Sequence, residues 1–409
     1  MTTACSNPTL TFQPLGARAV LARFDGGAIT SDGGALLLGE AERLTGALRQ
    51  CAACFTDYRN PDATEHTVLQ LLSQRVYGLA LGYEDLNDHD TLRLDPLLAT
   101  LVGKTDPTGQ DRLRAQDRGK PLAGKSTLNR LELTPAEANA DSRYQKIVAH
   151  PEALERLFVD LFLQAHPTPP AEIVLDLDVT DDTLHGHQEG RFFHGYYREF
   201  CYLPLYLFCG EHLLVAKLRT ADNDASWGTV EVLDWLIPRI RAAWPQVRIL
   251  LRADSGFCRD ALMTWCETHG VDYLLGLAQN SRLVETIQGE LVAAHVRYLQ
   301  TGVAARVFAD FSYQTRDSWS CARRVVGKAE YLPKGPNPRF VVTSLPESER
   351  EARVLYEEDY CARGEMENRI KEQQLMLFAD RTSTAWLRSN QLRLWFSSLA
   401  YVLVQAYRD

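Results

Sequence analysis

Residues 168–180 read TPPAEIVLDLDVT. The paired prolines interrupt any helix arriving from upstream, because proline lacks an N–H and restricts the residue before it. From Ile173 to Val179 apolar and acidic residues alternate, which is the period of a β-strand. Asp176 and Asp178 are two apart and therefore project to the same side. Carboxylates on an apolar strand are costly to bury without compensation, so the stretch predicts a sheet and a reason for that sheet to carry charge.

Downstream, REFCYLPLYLFCG and EHLLVAKLRT read as two further strands joined at Gly210-Glu211. WGTVEVLDWLIPRIRAAW reads as a helix, VRILLRADSG as a buried strand ending in a polar turn, CRDALMTWCETHG as a helix closed by Gly270, and VDYLLGLA as a strand. The order β-β-β-α-β-α-β predicts an α/β fold with a mixed sheet flanked by helices. Upstream, residues 1–165 are mainly helical by period, with ARAVLARFDGG as a strand and turn. STLNRLELTP is a short helix with Ser126 or Thr127 as N-cap, and residues 143–166 form a helix kinked near Pro151. Residues 282–350 alternate and are basic, which predicts a β-rich insertion between a first core segment, 166–281, and a helical one, 351–409. The final apolar helix stops without a C-cap signal, which predicts that the chain is truncated there.

The composition, 45% hydrophobic and 24% charged over 409 residues, is that of a globular protein and excludes a disordered one. No run reaches the ~18 apolar residues of a membrane span, and the N-terminus lacks a secretory signal. A cytoplasmic, nucleoid-associated protein without a membrane partner is expected. Nine scattered cysteines fit reduced thiols, and Cys51-x-x-Cys54 lacks the second pair a zinc site needs. The net charge of −9 argues against nucleic acid only as a sum, since binding depends on patches. Residues 104–130 and 306–339 each carry seven bases against three acids.

Asp254 ends the VRILLRAD strand much as Asp178 ends the first, and in open α/β sheets reactive groups gather at the carboxyl ends of strands. In YCARGEMENRIKEQQ, residues 360–374, Tyr360, Arg363, Glu367, Lys371 and Gln374 are spaced 3, 4, 4 and 3 and form one helical stripe. Taken alone, such a stripe is a solvated face with ion pairs. Beside two acidic strand ends, Glu367 can supply a third carboxylate, and Arg363 and Lys371 can hold phosphate. Hard oxygen donors suit Mg²⁺, and two ions there would serve an in-line displacement at phosphorus.

These residues resemble the DDE transposases of bacterial insertion sequences, in the branch (transposase DDE domain group 1) with a Y-x2-R-x3-E signature: Tyr360, Arg363 and Glu367. Asp178-Val179-Thr180 matches the family's D-x-T, Asp254 in LLRADSGF its second acid, and GYYREFCYLPLYLF its surroundings. The resemblance implies a ribonuclease H-like core, catalytic and metal-binding Asp178, Asp254 and Glu367, two Mg²⁺ ions for which Mn²⁺ can substitute, and a DNA-binding N-terminal region. It implies cleavage and strand transfer of an element bounded by inverted repeats, with a homodimer holding two ends and target DNA. A non-transposing nuclease or an inactive DNA-binding derivative are the alternatives. Asp176 is the second candidate for first acid. The fuller signature has a Lys where this chain has Gln374, and Lys371 is expected to replace it. Expected DNA contacts are Tyr360, Arg363, Lys371, Lys125, Arg323, Arg324 and Trp319, the last either stacking on a base or packing its own hairpin. GKPLAGKS, residues 119–126, imitates a phosphate loop but lacks the buried strand before it. It reads as a basic loop opening a helix. His185, His187 and His194 lack an obvious fourth ligand and read as a loop.

Overall fold

The computed structural model describes residues 9–22 and 30–408. Its first half is built of helices: α1 (Ala35–Thr45), α2 (Val68–Ala80), α3 (Lys125–Leu133) and α4 (Pro151–Ala165), with shorter turns between. The helical run of residues 35–52 breaks at Gly46, whose φ of 63° ends α1 and starts a second short helix. α2 begins with a reciprocal cap, Thr67 accepting from the Gln70 amide while the Gln70 side chain accepts from the Thr67 amide. Two expectations are corrected here. The N-cap of α3 is Gly124, with neither Ser126 nor Thr127 outside the helix. Residues 143–166 are not one kinked helix: Ile147–Ala149 is a strand, and Pro151 takes the first helical position, where its missing N–H costs nothing.

The centre is a mixed sheet. β1 (Glu172–Val179) is the stretch quoted above, and β2 (Leu205–Cys209) and β3 (His212–Lys217) form an antiparallel hairpin beside it. α5 (Thr229–Ala243), β4 (Arg248–Ala253), α6 (Asp260–His269) and β5 (Asp272–Leu277) follow as crossovers, with β4 parallel to both β1 and β5. Gly270, at φ 60°, closes α6 as expected. Next come α7 (Gln288–Thr301), β6 (Ala305–Tyr313), β7 (Arg323–Leu332) and β8 (Arg339–Thr343), then α8 (Gly364–Leu377) and α9 (Leu387–Arg408). The strand order is β3-β2-β1-β4-β5-β8-β7-β6, with a two-residue strand, Gly335–Pro336, on β7.

Three differences from expectation have physical reasons. The run at 198–210 is two strands, because Pro204 cannot extend a ladder through its nitrogen: Glu199–Tyr202 joins a small separate sheet and only β2 enters the main one. Residues 288–301 are helical, not β, with Gly302 at φ 69° as the stop. The strands of residues 305–343 do not stand apart as an insertion; β8 pairs with β5 and continues the same sheet.

Period two in β2 divides the interior. Tyr206 and Phe208 face a core shared by α1–α3 and α9, whereas Leu205 and Leu207 face a second core with α5 and α6. The first core carries a buried ionic knot: Glu132 on α3 accepts from Arg75 on α2 at 2.9 Å and from Arg393 on α9 at 2.6 Å. The N-terminal helices and the C-terminal helix are thus one packed body. Among the described residues no helix is long and apolar enough to cross a membrane.

Candidate active site

Strand register brings the first two acids together. Arg252 pairs with Asp176 and Ala253 with Leu177 across parallel β4 and β1, so the next residues along, Asp254 and Asp178, stand at adjacent strand ends. Asp254 is fixed by its own turn, its Oδ1 accepting from the Gly256 amide at 2.8 Å. Above them lies the segment that leads into α8. It does not continue one regular helix: Leu355–Tyr360 is a turn of π-helix, Cys361–Arg363 a 3₁₀ turn, and only from Gly364 is it α-helical. The single stripe expected from Tyr360 to Gln374 is corrected accordingly, because Tyr360 sits on a different kind of turn from Glu367. Wide turns of this type recur at functional sites.

Arg363 stands among the acids. Its Nη1 donates to Asp178 Oδ2 at 2.9 Å and its Nη2 to Glu367 Oε1 at 2.8 Å. Burial pushes the Asp178 carboxyl up to about 6, with the charges of Asp254 and Glu367 adding to the rise and Arg363 opposing it. Arg363 thereby links Asp178 to Glu367, while Asp254 bears on Asp178 through its charge.

Among the described residues no three His, Cys, Asp or Glu side chains stand close enough to hold one metal ion. The donor chemistry nevertheless fits a hard divalent cation: oxygen donors only, with Asp178 raised by burial and then by two like charges that a cation would offset. Arg363 supplies the positive charge among them here.

The raised Asp178 sets a pH dependence. A carboxyl whose folded value of about 6 exceeds its unfolded value of about 3.9 binds more protons when folded, so stability falls as pH rises between these limits. In a chelating buffer, Asp178→Asn is expected to be the more stable protein above pH ~6 by up to about 3 kcal/mol, with the advantage vanishing below pH ~4. Urea midpoints of both proteins across that range check it; a parallel pH response in the two would contradict it.

Tyr360 reaches the same place from the other side. A Cβ on Gly276 of β5 would lie 2.5 Å from the Tyr360 hydroxyl, 2.8 Å from the Ser255 amide and 3.1 Å from the Asp254 carbonyl carbon. Glycine inside a strand marks such a close approach, and that signal could have flagged Gly276 from sequence. Gly276→Ala is expected to cost about 1–3 kcal/mol by overpacking against the Tyr360 hydroxyl and the Asp254 turn. Thermal unfolding tests this. Adding Tyr360→Phe should not rescue it, because the backbone clash remains.

The other candidates fall as follows. Asp176 is buried in a two-point ion pair with Arg252, 2.5 and 2.7 Å, and Arg252 also donates to the Asp359 carbonyl at the end of the π-turn. As placed, it anchors that segment to the sheet. Arg252 was not foreseen, since its partners lie 76 and 107 residues away. Lys371 is exposed on α8. Gln374, at the Lys position of the fuller signature, donates to Thr180 Oγ1, the Asp181 carbonyl and Asp182 Oδ1, at 3.3, 3.2 and 3.1 Å. It thereby tethers the chain leaving β1 to α8.

Lys125 contacts Asn87 at 3.0 Å and Asp90 at 3.4 Å. Arg323 is buried against Asp260 and Glu267, and Arg324 is held by Asp310 and two backbone carbonyls. Arg306 pairs with Glu330 and Glu357, whereas Arg316, Lys334 and Arg339 are exposed, so only part of the basic charge of residues 306–339 is taken up by internal pairs. Trp319 is 7% exposed and packs edge-on against Tyr313, with the Arg323 guanidinium 5.7 Å from its ring. As placed it packs its own hairpin. Cys51 and Cys54 are buried free thiols.

Comparison with curated protein sequences finds no match. Among solved structures, the chain is similar to that titled "Cryo-EM structure of piggyBac transposase synaptic complex with hairpin DNA", at 11% identity and a TM-score of 0.41, over 91% of this chain and 79% of that one. The family model described as "Transposase DDE domain group 1" matches residues 12–409. Two acids at neighbouring strand ends, a glutamate helix above them and a match over nearly the whole length lead to one assignment: the chain belongs to the transposase DDE domain group 1 family.

Proposed function

We propose that the protein is a transposase that cleaves DNA at the ends of an insertion sequence and joins the freed ends to target DNA. The reading is supported by Asp178 and Asp254 at adjacent strand ends, with Glu367 linked to Asp178 through Arg363, in a member of a DDE family. The order β3-β2-β1-β4-β5, with β2 antiparallel and β4 and β5 parallel to β1, supports a ribonuclease H-like core.

Asp178, Asp254 and Glu367 would hold two Mg²⁺ ions, or Mn²⁺ in their place. Bound there, the ions would supply Lewis acidity and a nucleophile at neutral pH. Arg363, once freed from the carboxylates, turns its planar donor fork to the phosphate being cut. Tyr360, packed over Gly276, fixes the height of Arg363 above the strand ends. Lys371 lies on the exposed face of the same helix, where it reaches a flanking phosphate. Two ends must be held at once, so a homodimer on DNA is the working assembly.

The test is a plasmid carrying the sequences that flank the coding region, incubated with the protein and Mg²⁺ or Mn²⁺. Breaks with 3′-hydroxyl ends at the element boundary, followed by joined products, are expected. Folded protein that leaves this plasmid intact with both ions would overturn the proposal.

A further inference from the structure

A second site lies in the N-terminal half, and none of the three acids lines it. An open cleft of about 560 Å³ is lined by six cationic side chains against three acidic ones, in a chain whose net charge is −9. At its mouth stands Tyr144, 56% exposed, with the guanidinium carbons of Arg130 and Arg143 5.0 and 4.9 Å from its ring centroid. Arg114 lines the same cleft. Among the described residues none of these three arginines has a carboxylate partner, whereas neighbouring Arg59 and Arg112 are neutralised by Asp57 and Glu65.

His66 adds an independent sign. It lines the cleft, is 6% exposed, and its Nε2 has no hydrogen-bond partner among the described residues. Burial, then the charges of Lys104, Arg112 and Arg59, hold it neutral. A buried polar atom without a partner is the exception in folded proteins, and here it borders a polar cleft. Arg130 also lines an adjoining hollow with Lys125, Ser126 and Asn129, so the cationic surface continues along the exposed side of α3.

We infer that this cleft grips DNA at a distance from the cut. Arg114, Arg130 and Arg143 take backbone phosphates, and Tyr144, braced between two guanidiniums, takes the face of a base exposed at an end or a kinked step. Unpaired arginines supply the sequence-independent part of DNA affinity, and a ring offers every base a stacking surface. The inference deepens the transposase reading and rests on it for the identity of the DNA.

The experiment measures binding of the full chain, without divalent ions, to a fluorescent duplex from the flanking sequence, over a range of salt. Arg130→Ala with Arg143→Ala should lower the magnitude of the slope of log affinity against log salt by about 2. Tyr144→Ala should weaken binding by about 5- to 100-fold, and Tyr144→Phe should restore it. These side chains are exposed, so unchanged circular dichroism and melting are expected. Wild-type affinity and slope in both alanine variants would overturn the cleft, as would failure of the wild type to bind any duplex. A wild type that binds through these residues but never cleaves would sink the transposase reading and leave the cleft standing.

Discussion

Alanine at Asp254 or Glu367 is expected to abolish strand cleavage while leaving end binding within about threefold of wild type. The drop should be at least about 10³-fold, because removing a group that acts only on developing charge forfeits transition-state stabilisation and little ground-state affinity. Neither side chain holds up the fold: Glu367 is exposed and Asp254 caps only its own short turn. Single-turnover cleavage and anisotropy binding on the same preparations separate the two effects. Full cleavage by either variant removes that residue from the reacting centre.

The second large effect divides Asp176 from Asp178, two residues that the sequence ranks only through the D-x-T match at Asp178. Asp176→Ala leaves the buried Arg252 without its carboxylate, and breaking such a pair from one side costs about 3–5 kcal/mol. Asp178→Ala removes a carboxylate that burial already disfavours, and Arg363 keeps Glu367 as a partner. It should be neutral or slightly stabilising, and inactive. Urea unfolding measured beside cleavage tells the two residues apart. A stable but dead Asp176 variant, with an active Asp178 one, would exchange their roles.

What could be read in the chain follows from the range of the interactions. β1, β4 and their terminal acids were legible because alternation and a polar stop are local signals. The exit of β8 onto β5 was not, because partners such as Gly276 and Val341 are some 65 residues apart, and no local pattern encodes which edge a strand will choose. α7 was mistaken for strand because only Leu291 and Ala294 are buried on it, leaving little apolar period. At the site, Glu367 was legible from its spacing to Arg363. That Arg363 would lie between Glu367 and Asp178 was not, since Asp178 is 185 residues away.

The π-turn at Leu355–Tyr360 has one further consequence. Such a turn spends five residues where a regular coil needs four, so losing a single residue there would leave the backbone better hydrogen-bonded than before. The same loss would swing the Tyr360 ring by roughly 100° about the axis and lift it off Gly276. This protein therefore holds a spot where a shorter chain makes a tidier helix and takes the Tyr360 ring away from the strand ends.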